Sequence, residues 1–458
     1  MSQLSNQYAT ADLQQLDRQH HLQPFTDYKS LHQKGSRIIT RAEGVYLWDS
    51  DGKKILDAMA GLWCVNIGYG RKELADVAHH QMLQLPYYNT FFQTSHPPAV
   101  ELSKLLSEVT PSHLNHVFLT NSGSESNDTV VRMVRRYWDL MGHPSKTVII
   151  SRENAYHGST MAAASLGGMK PMHAQGGLPI PDIVHIEQPY WYACGDELSA
   201  EEFGLKAAQT LEQKIHELGI DKVAAFIGEP VQGAGGVIVP PNTYWPEIQR
   251  ICDQYDILLV VDEVICGFGR TGKWFGTDYY QLKPDLMPIA KGLSSGYLPI
   301  GGVMISDEVS NVLIEKGGEF THGYTYSGHP VACAVAAANI RILRDEKIVE
   351  HADKETAPYL QKRWRELSEH PLVGEVRGLG LLGAIELVKN KKTRERFTTP
   401  PGKTGALCRD ICFDNGLVMR AVGDSMVISP PLIMTRSNID ELIELAHKCL
   451  DITAHKLS

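Results

Sequence analysis

Three places in this sequence set chemically capable residues directly after short apolar runs, where the ends of β-strands would deliver them to one ligand site. The first is Asp262-Glu263, which follows Ile257-Leu-Leu-Val-Val261; such acids either cap the segment that follows or act in catalysis. The second is Lys291, which follows Met287-Pro-Ile-Ala290 and precedes the flexible stretch Gly292 to Gly296. A lysine in mostly buried sequence must be paired, depressed in pKa or covalently used, because an isolated buried ammonium is costly. The third is Thr120-Asn-Ser-Gly123-Ser124-Glu-Ser-Asn127, which joins an apolar run to a helical stretch carrying Val130, Val131 and Val134. Free N–H groups and the positive helix end at Gly123 and Ser124 make an anion site there.

No Gly-Lys-Ser/Thr follows that glycine, so the site is not a nucleotide P-loop, and a single phosphate is the better fit. One phosphate, one lysine and one acid at strand ends describe what pyridoxal 5′-phosphate (PLP) needs. Gly378-Leu-Gly380-Leu-Leu-Gly383 formally matches the dinucleotide fingerprint. It is read here as a decoy, because Ala384-Ile-Glu-Leu-Val388 has the pattern of a strand where the fingerprint needs a helix.

The elements that must position these residues follow from apolar spacing. Gly44 to Trp48 and Lys54 to Asp57 alternate around Asp51-Gly52, which predicts a hairpin. From about 71 to 330, short apolar runs alternate with helical stretches: Val117 to Leu119, Val148 to Ile150, Ala224 to Ile227, Ile257 to Val261, Met287 to Ala290 and Gly302 to Ile305. That alternation predicts an α/β fold with a largely parallel sheet covered on both faces. Beyond Pro330 come alanine-rich helical sequence, the strand at Ala384 to Val388 and a helix from Asn438 to Leu450. The expected division is a large domain over 71–330 and a small one built from 1–70 and 331–458.

Composition narrows the partners. A formal charge of -9 argues against nucleic acid, whose phosphates are bound by clustered Lys and Arg. The one basic cluster, Lys389 to Arg396, also carries Asn390, Thr393 and Glu395 and reads as a solvated loop. Eight cysteines without a C-x-x-C pair favour neither a metal site nor a disulfide framework, and point to a reducing compartment. The polar first twenty residues and the lack of a long apolar run predict a cytoplasmic protein without a membrane anchor.

LLVVDEVICGFGRTGKWFG (Leu258 to Gly276) followed by PDLMPIAKGLSSGYLPIGG (Pro284 to Gly302) resembles the signature of class III, fold type I aminotransferases. NSGSESND (Asn121 to Asp128), AYHGST (Ala155 to Thr160), GEPVQGAGG (Gly228 to Gly236) and TYSGHP (Thr325 to Pro330) extend the resemblance over nearly the whole chain, in the family's order. It implies a seven-stranded, mainly parallel sheet in the large domain and an α+β small domain. It also implies that Lys291 bonds covalently to PLP, that Asp262 holds the ring nitrogen, and that Gly123 and Ser124 bind the phosphate. Tyr156 would stack on one face of the ring and Val264 pack against the other. Thr325 matches a threonine that reaches the phosphate from the neighbouring subunit, so a homodimer is implied. Taken alone, Tyr156 is equally a core aromatic and Thr325 a turn residue. Ser126, Lys273 and Pro288 depart from the usual pattern, and Pro288 could alter the strand that positions Lys291.

Within the family, Gly61-Leu-Trp63-Cys64, Tyr88 to Phe92, HGYTYSGHP (His322 to Pro330) and GLVMRAVGD (Gly416 to Asp424) are similar to the ω-amine:pyruvate and putrescine:pyruvate branch. That branch implies an amine donor and a keto acid acceptor, pyruvate, in a ping-pong cycle. Its aromatic pocket corresponds to Trp63, Phe91 and Tyr156, with Phe25 near the entrance, and Arg420 matches an arginine that pairs with the keto acid carboxylate. Taken alone, Arg420 is a surface arginine in a loop. Two alternatives share the cofactor: an ω-amino acid transaminase acting on β-alanine or 4-aminobutyrate, and a mutase that needs no acceptor. A non-enzymatic PLP sensor would need a DNA-binding segment, for which little room precedes Gly44.

Overall fold

The computed structural model describes residues 9–397 and 400–457, so part of the polar start, residues 1–8, lies outside the described residues. In chain order the strands are β1 (Ile39–Glu43), β2 (Tyr46–Asp49), β3 (Lys54–Asp57), β4 (His116–Thr120), β5 (Val148–Arg152), β6 (Ile183–Ile186), β7 (Val223–Gly228) and β8 (Leu258–Val261). They continue with β9 (Leu286–Ile289), β10 (Gly301–Ile305), β11 (Val373–Leu379), β12 (Leu382–Leu387), β13 (Leu417–Val418), β14 (Arg420–Val422) and β15 (Ser425–Ile428).

The central sheet has seven strands in the order β4-β10-β9-β8-β7-β5-β6. Pairing is parallel from β9 through β6 and antiparallel on both sides of β10, so β10 alone opposes the other six. Its inner strands are apolar along their whole length because helices cover both faces. Phe226, Leu259 and Val261 point to one core with Phe203, Leu211, Trp245 and Ile248, while Ala225, Ile227, Leu258 and Val260 join Val130, Val134 and Trp138 in the other. This period of two is what pins the register of β7 and β8. Phe226 is fully buried, and truncating it to alanine should cost roughly 3 to 5 kcal/mol.

The alternation around Asp51-Gly52 forms the antiparallel pair β2-β3, with Gly52 at φ +81° in the turn. The pattern hid one strand of the central sheet: β6 reads Ile-Val-His-Ile, too short and too polar to stand out, yet it pairs with β5 at the sheet edge. Pro288 does not break β9. Its missing N–H falls where the ladder to β8 has already thinned to Val260–Leu286, and its carbonyl accepts the Glu263 N–H at 3.0 Å. Lys273 is spent on an exposed ion pair with Asp353, and Ser126 Oγ bonds Thr120 Oγ1 and Ser122 O.

A second, antiparallel sheet runs β11-β12-β15-β14. The Gly378 to Gly383 segment is the β11-β12 hairpin, with Gly380 at φ +59° pressed against the backbone of Thr271, and no helix opens there. A third sheet joins both ends of the chain, because β13 pairs in parallel with β3 (Leu417 with Leu56). The last helix, Arg436–Leu457, extends beyond the apolar stretch that predicts it and buries Ile439, Leu442, Ala446 and Leu450. The basic cluster is an exposed turn closed by Asn390 and Glu395, with Lys389 paired to Glu395. No helix among the described residues is long and apolar enough to cross a membrane.

Candidate active site

Five strands of the central sheet end around one cavity of about 210 Å³. Its lining comes from the loops after β4 (Ser122, Gly123, Ser124), β5 (Tyr156, His157, Gly158), β7 (Glu229), β8 (Asp262, Val264, Ile265) and β9 (Lys291). A parallel sheet brings these residues together because all five strands point their carboxyl ends the same way.

Asp262 is 3% exposed and fixed at both oxygens. Oδ1 accepts the Val264 N–H at 3.0 Å, and Oδ2 lies 2.7 Å from His157 Nδ1 and accepts Asn127 Nδ2 at 2.8 Å. Glu229 accepts the Tyr156 N–H at 3.0 Å and the Gly233 N–H at 3.0 Å. Burial pushes its carboxyl pKa up, against the pull of His157. Lys291 is pushed the other way: desolvation lowers its pKa, although Cys64, Asp262 and Glu229 favour the ammonium, and Arg420 adds to the lowering. Such an amine is a nucleophile and a base closer to neutral pH than a free lysine.

The helix Gly123–Leu140 begins at the cavity wall, capped by Ser122 Oγ, which accepts the Glu125 N–H at 3.2 Å. The first N–H groups of a helix have no partner within it. A Cβ on Gly123 would stand 2.9 Å from Val264 Cγ1, so a larger residue here would have to push the Val264 side chain aside. Ser124 Oγ accepts the Ser159 N–H at 3.1 Å, which ties the helix start to the Tyr156 loop. The Tyr156 ring meets Phe25 edge-on at 6.5 Å, and Phe25 itself is 76% exposed.

Trp63 and Arg420 stand beside this cavity. The Trp63 ring lies 5.8 Å from Lys291 Nζ and 4.9 Å from the Arg420 guanidinium. Arg420 is partly buried at the start of β14, with its pKa lowered by desolvation, and makes no ion pair among the described residues. Trp63 follows Ala60 and Gly61 in a segment of positive φ held by buried Asp57, whose oxygens accept the Met59 N–H, the Gly61 N–H and the Tyr69 hydroxyl.

Phe91 and Thr325 do not line the cavity of their own chain. Phe91 packs on Gly323, where a Cβ would meet its ring at 2.8 Å, and Thr325 is exposed, its carbonyl accepting the Tyr87 hydroxyl at 2.6 Å. The sequence reading passed over His157, Asn127 and Glu229. Glu229 was legible by the rule that found Asp262 and Lys291, since it is the polar residue next after β7. His157 and Asn127 touch Asp262 only through the fold, and nothing in their spacing announces it.

The residues present fit PLP. A lysine of lowered basicity, a buried carboxylate, an open helix start and an apolar side chain against Gly123 are the donor set it calls for. Buried His157 Nε2 and Asn127 Oδ1 also lack partners.

Residues 28–450 match the family model described as aminotransferase class-III. Over 453 residues, covering 99% of this chain and 98% of the relative, the sequence is 66% identical to the putrescine–pyruvate aminotransferase of Pseudomonas aeruginosa. It is 43% identical over 441 residues to gamma aminobutyrate transaminase 1 of Solanum lycopersicum, covering 95% and 85% of the two chains. Among solved structures, the ω-transaminase of Pseudomonas jessenii in complex with PMP superposes with a TM-score of 0.94 at 42% identity, covering 97% of this chain and 98% of that one.

Proposed function

The chain belongs to the class III aminotransferase family and is a PLP-dependent aminotransferase, and from that premise we propose that its donor is a terminal diamine such as putrescine and its acceptor pyruvate. The observation that carries this reading is the 66% identity, over almost the full length of both chains, to the putrescine–pyruvate aminotransferase of Pseudomonas aeruginosa. The reaction gives an amino aldehyde and alanine in two half-reactions that use one site in turn.

When bound, PLP supplies an electron-accepting ring conjugated to the reacting carbon. In this reading Lys291 would bond to its aldehyde, Gly123 and Ser124 would bind its phosphate, Tyr156 and Val264 would cover its faces, and Thr325 of a neighbouring subunit in a homodimer would reach the phosphate. Asp262 keeps a proton on the ring nitrogen, because a buried carboxylate stabilises the cation beside it. With PLP bound, Lys291 Nζ, when free, would be the base able to take a proton from the substrate carbon and give it back. Trp63 and Phe25 give the donor chain an apolar surface, with Phe91 contributing across the subunit boundary. Arg420, without an acidic partner among the described residues and resting on Trp63, is available to the pyruvate carboxylate. The same reading assigns 71–330 to the cofactor domain and 1–70 with 331–458 to the second, supported by the β13-β3 pairing, and places the enzyme in the cytoplasm, supported by eight free cysteines.

A specific second reading comes from the 43% identity to gamma aminobutyrate transaminase: Arg420 would then serve an ω-amino acid carboxylate as well. Putrescine, cadaverine, β-alanine, 4-aminobutyrate and an arylalkylamine, each offered with pyruvate and read as alanine formed, separate the two. The expected order puts the diamines first. A strong preference for β-alanine or 4-aminobutyrate over putrescine would overturn the choice of donor.

A further inference from the structure

Lys291 sits in a backbone conformation that its own type does not favour. Its φ is +46°, and that of Ser295, at the other end of the same turn, is +50°. Residues with a Cβ enter this left-handed region where their surroundings impose it. The turn's own bonds are Leu293 N–H to Ala290 O at 3.0 Å, Ser294 N–H to Lys291 O at 3.3 Å and Ser295 N–H to Gly292 O at 3.2 Å. A single short turn of this kind is weak by itself.

One side chain from outside closes it. Asn339, fully buried in the helix Pro330–Asp345, donates from Nδ2 to Gly292 O at 2.9 Å and to Leu293 O at 3.0 Å. Its Oδ1 accepts the Ser295 hydroxyl at 2.8 Å, and Ser295 Oγ in turn accepts the Ile67 N–H at 3.4 Å. From the other side Gly292 is wedged against Asn66, whose Nδ2 would be 2.6 Å from a Cβ. Asn339 gains nothing for its own helix. Its neighbours Val335, Ala336 and Ala337 are buried and apolar, asparagine is a mediocre helix former, and a buried amide is costly unless fully bonded. All three of its hydrogen bonds are spent on the turn that begins at Lys291.

We propose that Asn339 is the positioning residue of Lys291, its amide fixing the turn Lys291–Ser295 so that Nζ meets the cofactor and the substrate carbon from one direction. The inference rests on the reading of Lys291 as the cofactor-bonding lysine. It differs from a plain packing role, which an apolar residue of similar size would fill equally well.

Asn339→Leu removes all three bonds, and Ser295→Ala removes one of them, together with the bond from the Ile67 N–H, while leaving Asn339 in place. Both are prepared with PLP, and two quantities are read: the pKa of the absorbance band of the lysine-bound cofactor, and the rate of the half-reaction with putrescine in the absence of pyruvate. In Asn339→Leu the spectral pKa should move by about half a unit or more and the half-reaction slow by about tenfold to a hundredfold, with a smaller change of the same sign in Ser295→Ala. A lowered melting point with spectrum and rate within about twofold of the wild type would reduce Asn339 to packing and overturn the proposal. If Asn339→Leu does not fold, Asn339→Ser and Ser295→Ala decide it: no movement of pKa or rate in either is the overturning result. Lys291→Ala, run alongside, keeps the two claims apart. If it retains the lysine-bound band, the reading of Lys291 fails; if it loses the band while the other variants match the wild type, only the positioning role fails.

Discussion

Asp262 and Trp63 are both buried near Lys291, yet they are held in place differently. The Asp262 carboxylate takes three hydrogen bonds, from the Val264 N–H and from His157 and Asn127, all on loops that leave the rigid ends of the central sheet or on the helix beside them. The Trp63 indole N–H has no partner among the described residues, its φ is +61°, and the Lys291 amine and the Arg420 guanidinium lie near its ring, while Asp57 bonds the backbone of the preceding Met59 and Gly61. Arg420, which makes no ion pair among the described residues, rests near that ring, and the exposed Phe25 meets Tyr156 edge-on. Hydrogen bonds on a sheet enforce one geometry, whereas aromatic and cation contacts on loops tolerate several. The fixed side suits a cofactor that stays in place through both half-reactions, and the looser side suits a site that must receive an amine and a keto acid in turn.

If the cofactor side is fixed as described, Asp262→Asn should lower kcat/KM by roughly 10²- to 10³-fold, to the same degree for every donor, because it removes charge stabilisation that all of them need. Steady-state kinetics with putrescine and cadaverine check this, and a donor-selective loss would erase the distinction between the two regions.

The rigidity beneath Asp262 can be probed through its neighbour. Burial, against its bonds to the Gly276 and Thr277 N–H groups and the Thr277 hydroxyl, raises the Glu263 pKa from 4.5 to about 7. Between pH 4.5 and 7 the folded state therefore binds more protons at Glu263 than the unfolded state, so this group's contribution to stability falls as pH rises through that window. Relative to the wild type, Glu263→Gln should gain up to roughly 3 kcal/mol on going from pH 4.5 to 7 in urea unfolding.

On the looser side, Arg420→Ala should raise the KM for pyruvate by roughly ten- to a hundredfold and leave the half-reaction with putrescine nearly unchanged, since a bond to a charged group is worth about 1.5 to 3 kcal/mol. Stopped-flow measurement of each half-reaction separates the two. The smallest effect belongs to Phe25→Ala, which should alter the ratio of kcat/KM between putrescine and an arylalkylamine by about threefold to tenfold without touching pyruvate.

The same contrast governs what could be read in the amino-acid order. β7 and β8 announce themselves as unbroken apolar runs because both faces of the sheet are covered, and Asp262, Lys291 and Gly123 stand out as polar or flexible residues just beyond such runs. β6, with a histidine among its few residues, does not, and the helix Thr10–His20 buries no side chain that could have marked it. His157, Asn127, Asp57 and Asn339 are ordinary polar residues until the fold brings each to its partner. Phe91 and Thr325 do not line the cavity of their own chain, so nothing in the apolar pattern tied them to it.

Reduction of the PLP-loaded enzyme with borohydride, followed by proteolysis and mass spectrometry, tests the central claim most directly, because it fixes the cofactor to whichever amine holds it. The pyridoxyl mass should appear on the peptide that contains Lys291 and on no other. A label on a different lysine, or none at all, would contradict the account.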